Sequence, residues 1–110
     1  MIAPDIVDQI AEAYNIMMEK DTANFEAEEK RIEAATEYEK QYMEIINEAQ
    51  ADGITDPGRQ QQKAAKGTRL ALTNRHLAEK ASRFANHELR QAGMKVDCLN
   101  KMVEAAKLTK

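Results

Sequence analysis

The chain has 110 residues, of which 43% are hydrophobic, 32% charged and 5% aromatic, with no Trp and a formal net charge of −3. That length holds one domain, or one elongated element that needs a partner. No apolar run exceeds three residues, Ile16-Met17-Met18 being one, which excludes a transmembrane helix, and the lone Cys98 excludes an intramolecular disulfide framework. High charge with few aromatics predicts long, charge-laced helices. Asp5 and Asp8 stand where a secretory leader needs basic residues and an apolar core. A single cysteine suits a reducing compartment, so a cytoplasmic protein is expected.

Glycine and proline punctuate the chain sparingly and set its elements. Pro4 opens a helix at its first turn, with Asp5 and Asp8 at the positive end of the dipole. No Gly or Pro follows before Gly53, which predicts a helix from about residue 4 to 52. Such a helix is roughly 70 Å long at about 1.5 Å per residue and needs lateral support. The stretch Gly53-Ile54-Thr55-Asp56-Pro57 reads as a stop followed by a start. Gly53 supplies a left-handed residue, Ile54 covers the last turn, Asp56 caps and Pro57 takes the first helical position. With a turn at 53–56, the chain returns along itself as a second helix from about 57 to 108. A kink or break is expected at Gly93, where Asp97 can cap a new helix; Gly67-Thr68 is a milder weak point. The fold class is all-α: one long antiparallel helical hairpin over residues 1–110, dimerising into a four-helix bundle.

Apolar spacing predicts the seam. On the first helix Ala3, Val7, Ile10, Tyr14 and Met17 recur at steps of three and four, and Ile32, Ala35, Tyr42, Ile46 and Ala49 resume the line. On the second, Leu70, Leu77, Ala81, Phe84, Ala92, Leu99, Val103 and Ala106 answer them. Asp21, Asn24, Glu28, Asn74 and Glu88 interrupt these lines, as register-setting polar residues or, less in keeping with the spacing, as metal ligands. Against metal, no Glu stands three residues before His76 or His87. The methionines are read as core filling, in preference to an adaptable binding surface.

The charge of −3 is a remainder. Residues 1–52 hold fourteen acids and four bases, while residues 53–110 hold five acids and twelve bases. Asp5, Asp8, Glu12, Glu19, Glu26, Glu29 and Glu33 form one line at helical spacing. Lys66, Arg69, Thr73, His76, Lys80, Arg83, His87 and Arg90 form the other. Folding the chain near Thr55 sets Glu44 near Lys66, Glu29 near Lys80, Glu26 near Arg83 and Glu19 near Arg90. The first expectation is that the lines meet across the hairpin or the dimer; the second is that the basic line stays open to an acidic partner.

Nothing in the sequence points to catalysis. Neither histidine has a nucleophile beside it, Cys98 reads as a semi-buried structural cysteine, and phosphate loops and paired-cysteine metal spacings are missing. The expected function is therefore a protein-protein interaction module without cofactor or metal: an adaptor, assembly factor or secretion-type chaperone. Its partner would be a second copy, an acidic amphipathic helix of another protein, or both, with no role for a membrane. The residues expected to bind are Lys66, Arg69, His76, Lys80, Arg83 and Arg90, with Tyr38 and Tyr42 in an apolar groove that also takes in Ile32, Leu77 and Phe84. A nucleic-acid-binding hairpin dimer and a structural part of a larger particle are the alternatives. A pI near 5.4 and a single aromatic in the second half, Phe84, weigh against nucleic acid.

Overall fold

The computed structural model describes residues 4–108, and among them every regular element is helical. Helix α1 runs Pro4–Ala51, α2 runs Pro57–Gly67 and α3 runs Arg69–Leu108. The seam position assigned to Ala3 lies outside the described residues.

The turn after α1 forms as its residue types dictate. Gly53 takes φ 85°, its N–H donates to the Gln50 carbonyl at 3.1 Å, and the Ile54 N–H donates to the Ala49 carbonyl at 2.9 Å. This pair of bonds satisfies two carbonyls that the helix end leaves free. Asp56 then caps α2, its carboxylate accepting from the Gly58 N–H at 3.2 Å with Pro57 behind it. The Gln60 side chain closes the turn by donating to the Ile54 carbonyl at 2.7 Å.

The helix does not break at Gly93; the interruption falls at the milder weak point, Gly67-Thr68. Helix α3 continues through Gly93, and Asp97 lies inside it, so neither ends nor caps a helix. The irregular residue is Thr68, at φ −111° and ψ 13°, between α2 and α3. Its N–H still donates to the Ala64 carbonyl at 3.0 Å, and its own carbonyl accepts from the Leu72 N–H at 2.8 Å. Its hydroxyl also donates to the Ala64 carbonyl, at 2.7 Å. Thr68 thus distorts a single residue without stopping the ladder of bonds. Gly67 beside it leaves room for the tip of Ile45, whose Cδ1 would have to turn aside for a Cβ there. Gly93 meets no such neighbour.

The described chain divides into two compact units. In the first, residues 4–26 of α1 lie with 83–108 of α3. Ala13, Val96 and Leu99 are buried together there, with Ile10 and Met17 packed against them. Lys20 pairs with Glu88 at 2.5 Å, and the Asn100 amide donates to Tyr14 Oη at 3.2 Å. The second unit holds residues 27–82, including the turn and α2. Its buried residues are small or polar: Ala49, Ala64 and Ala71, with Gln60, Thr68 and Ser82. Contacts in both units join falling numbers on α1 to rising numbers on α3, as antiparallel helices do.

Half of the expected seam is corrected by this packing. Along α3 the covered positions are Ala71, Arg75, Ala78, Ser82, Ala85, Leu89, Ala92, Val96 and Leu99, stepping by three and four. Leu70, Leu77 and Phe84 stand outside that line, 74%, 60% and 63% exposed. Val7, Tyr14 and Ile32 are likewise exposed on α1. Small side chains let the helices approach closely, so the phase carrying Ala and Ser becomes the contact and the large apolar residues stay outside.

Candidate functional site

The basic line is built by spacing alone. Lys66 ends α2, Arg69 begins α3, and His76 and Lys80 follow at helical steps in the second unit, all of them exposed. Arg83, His87 and Arg90 are exposed in the first unit. Every one of these residues falls between the covered positions of α3 and points away from the seam. The acidic line of α1, from Asp5 to Glu33, is exposed for the same reason.

Consequently the expected meeting of the two lines within one chain does not occur. Among the described residues the ion pairs are Lys20–Glu88, Arg31–Glu28, Lys63–Asp52 and Arg75–Glu79. None joins Glu44 to Lys66, Glu29 to Lys80, Glu26 to Arg83 or Glu19 to Arg90. Two of the four pairs that form engage Glu79 and Glu88, the acids of α3 that interleave with the basic line. That leaves the line's positive charge unopposed on its own helix.

Two distinct surfaces flank the helices of the second unit. On one side, Ala34 and Ala71 floor a shallow groove of about 370 Å³ that Leu70 and Asn74 edge from α3 and Glu33 and Glu37 edge from α1. Leu77 lies two turns along α3 from Leu70 and carries the same row onward. On the other side, Tyr38, Glu39, Tyr42 and Met43 line a second recess. The rings of Tyr38 and Tyr42 lie 6.0 Å apart and tilted, and the Arg75 guanidinium sits 5.3 Å above Tyr38. Arg75 is held there by donating to Glu79 at 3.0 Å. Tyr38 and Tyr42 are half-buried, whereas Leu77 is exposed.

Polar seam residues find partners across the helices. Ser82 donates to Glu28 Oε2 at 2.9 Å, and Arg31 donates to the same carboxylate through Nε at 3.0 and 3.1 Å and through Nη2. The Arg31 and Ser82 hydrogen bonds, with the Arg31 charge, hold the Glu28 carboxyl below its ordinary value; partial desolvation opposes them only in part. The same bond to Glu28 raises Arg31. Glu28 is thus a register residue, joined by Ser82, which the apolar pattern passed over. Its signal was the three-and-four spacing of small residues from Ala71 to Ala92. Glu88 serves Lys20, and Asp21 and Asn74 are exposed. Among the described residues, no three His, Cys, Asp or Glu side chains converge as a metal site.

Two further expectations change. Met18, Met43, Met94 and Met102 are 50–70% exposed, so these four do not fill a core; Met17 does pack against the first unit's cluster. Cys98 is exposed rather than semi-buried. No helix among the described residues is long and apolar enough to cross a membrane. Comparison with models of protein families, with curated proteins and with solved structures finds no match for the chain.

Proposed function

We propose that this chain is a helical hairpin that works as a non-enzymatic protein-binding module, an adaptor, assembly factor or secretion-type chaperone. Its working surface is the outer face of α3 in the second unit, where Leu70 and Leu77 run beside Lys66, Arg69, His76 and Lys80. The guest is an acidic amphipathic helix, of another protein or of a second copy, and the four-helix bundle is the simplest closed form of self-association. The observation that carries this reading is the simultaneous exposure of the basic line and of two leucines beside it. Single exposed leucines are ordinary, but a leucine row repeated at helical spacing next to an unopposed row of cations is a binding pattern.

Fluorescence anisotropy with a labelled acidic amphipathic helical peptide tests it. The full chain should bind the peptide, and Arg69→Glu with Lys80→Glu should weaken binding about tenfold or more while helicity is unchanged. Unchanged affinity in that variant would sink the proposal. A labelled RNA duplex serves as the alternative guest: affinity that falls steeply with salt for RNA, with none for the peptide, would favour nucleic acid.

A further inference from the structure

The helix that this surface calls for is present in the chain itself. In the second unit, the α1 portion (27–51) carries seven acids and three bases, while the portion from 57 to 82 carries one acid and six bases. On α1, Glu29, Ile32, Thr36, Glu39 and Met43 recur at steps of three and four and are all exposed, Ile32 by 52% and Met43 by 53%. On α3 and the end of α2, Lys66, Leu70, Thr73, Leu77 and Lys80 do the same. Each row mixes apolar side chains with charge of a single sign, and the signs are opposite.

Resting on the proposed protein-binding role, we infer that its guest is a second copy of this chain, the α1 row of one copy docking on the α3 row of the next. Laid antiparallel, the rows set Ile32 opposite Leu77, Thr36 opposite Thr73 and Glu29 opposite Lys80. Further along, the same register brings Glu39 to Leu70 and Met43 to Lys66, so the matched stretch is Glu29–Thr36 against Thr73–Lys80. The unit's own helices run the same antiparallel way, with Glu28 at Ser82 and Tyr38 at Arg75. The two rows therefore match in pitch, and in chemistry over Glu29, Ile32 and Thr36 against Lys80, Leu77 and Thr73.

The geometry also fixes the kind of assembly. Leu70 belongs to the groove edged by Glu33 and Glu37, whereas Met43 belongs to the recess of Tyr38 and Tyr42, and the two share no residue. The donor and acceptor rows thus look to different sides. A two-fold dimer uses one side twice and leaves the other row exposed. Head-to-tail docking covers both rows in every copy except those at the ends, and it continues until a ring closes or a filament grows.

Light scattering and sedimentation on the full chain, with Cys98→Ser to prevent adventitious disulfides, test this inference. The parent should pass beyond dimer as concentration rises, and high salt should reverse the growth. Leu77→Glu with Lys80→Glu removes the acceptor row, and Ile32→Glu, which keeps the acidic sign so that the two altered rows repel, removes the donor row. All three residues are exposed, so helicity should survive both changes. Each variant alone should associate about tenfold or more weakly. Mixed, they should form a one-to-one heterodimer and stop, since each keeps one intact row. A parent that is monomeric at every concentration, or that saturates at dimer, overturns the inference, as does a mixture that stays monomeric. Binding of the acidic peptide by a monomeric parent would leave the protein-binding role standing with a different guest; loss of both would remove the two together.

Discussion

The two units use the same antiparallel geometry and fill it with opposite materials. In the first, Ala13 lies against Val96 and Leu99, with Ile10 and Met17 closing the cluster, so apolar burial dominates. The covered residues of the second are alanines, a buried threonine and a serine bonded to a half-buried glutamate. Burying alanine removes little surface from water, while close approach brings backbone and short polar groups into contact. The first unit therefore relies on apolar volume, with Lys20–Glu88 and Asn100–Tyr14 bonded beside it, and the second on close fit around small side chains. The difference also governs what is left outside: large apolar side chains excluded from a tight seam become the surface that a partner can use.

Opposite substitutions should damage the two regions. The largest effect is expected from Leu99→Ala in the first unit, which opens a cavity and should cost about 2–5 kcal/mol in denaturant unfolding. In the second unit truncation has little to remove, and enlargement is the harmful change. Ala49→Leu, at a fully buried position, should cost about 1–3 kcal/mol through overpacking, measured the same way. If Ala49→Leu were stabilising, the close approach assigned to that seam would be wrong.

Smaller effects sharpen the contrast at the turn and at Glu28. Asp56→Ala removes the α2 cap and should lower stability by about 1 kcal/mol, with Asp56→Asn retaining most of it. Glu28 sets a pH dependence whose sign follows from its bonds. Its folded value lies below the ordinary one near 4.5, so its contribution is complete above that pH and disappears as acidification carries it through the folded value. Ser82→Ala should reduce the acid-side slope of stability against pH, whereas the first unit's Leu99→Ala should shift stability without changing that slope. Equal slopes in the parent and Ser82→Ala would remove the role given to this bond.

The parts of the fold written in local chemistry were readable from the sequence. Gly53, Asp56 and Pro57 act within one or two residues of themselves, and the turn formed as their types require. The seam of the first unit was readable in part: Ile10, Met17 and Leu99 lie in or against its cluster, while Val7, Tyr14 and Phe84 stand outside it. In the second unit the rule that large apolar residues lie inside misleads. Leu70, Leu77 and Ile32 sit at one phase of the helices and Ala71, Ala78 and Ser82 at another, and close packing selects the second. The weak point at Gly67-Thr68 was readable, since the helix is interrupted there; the break weighed at Gly93 was not found, because α3 runs through it. The basic line was legible as a line; its direction was not, since direction depends on which phase forms the seam.

That choice of phase is the central claim, and paired cysteines in the Cys98→Ser background test it most directly. Oxidised at a dilution where the chain is monomeric, the Glu28→Cys, Ser82→Cys pair should close a disulfide within one chain, because those side chains meet across the seam. The Ile32→Cys, Leu77→Cys pair should stay open under the same conditions and link different chains only as concentration rises. Rapid intramolecular closure of the second pair, with the first remaining open, would put the large apolar residues in the seam and contradict the account.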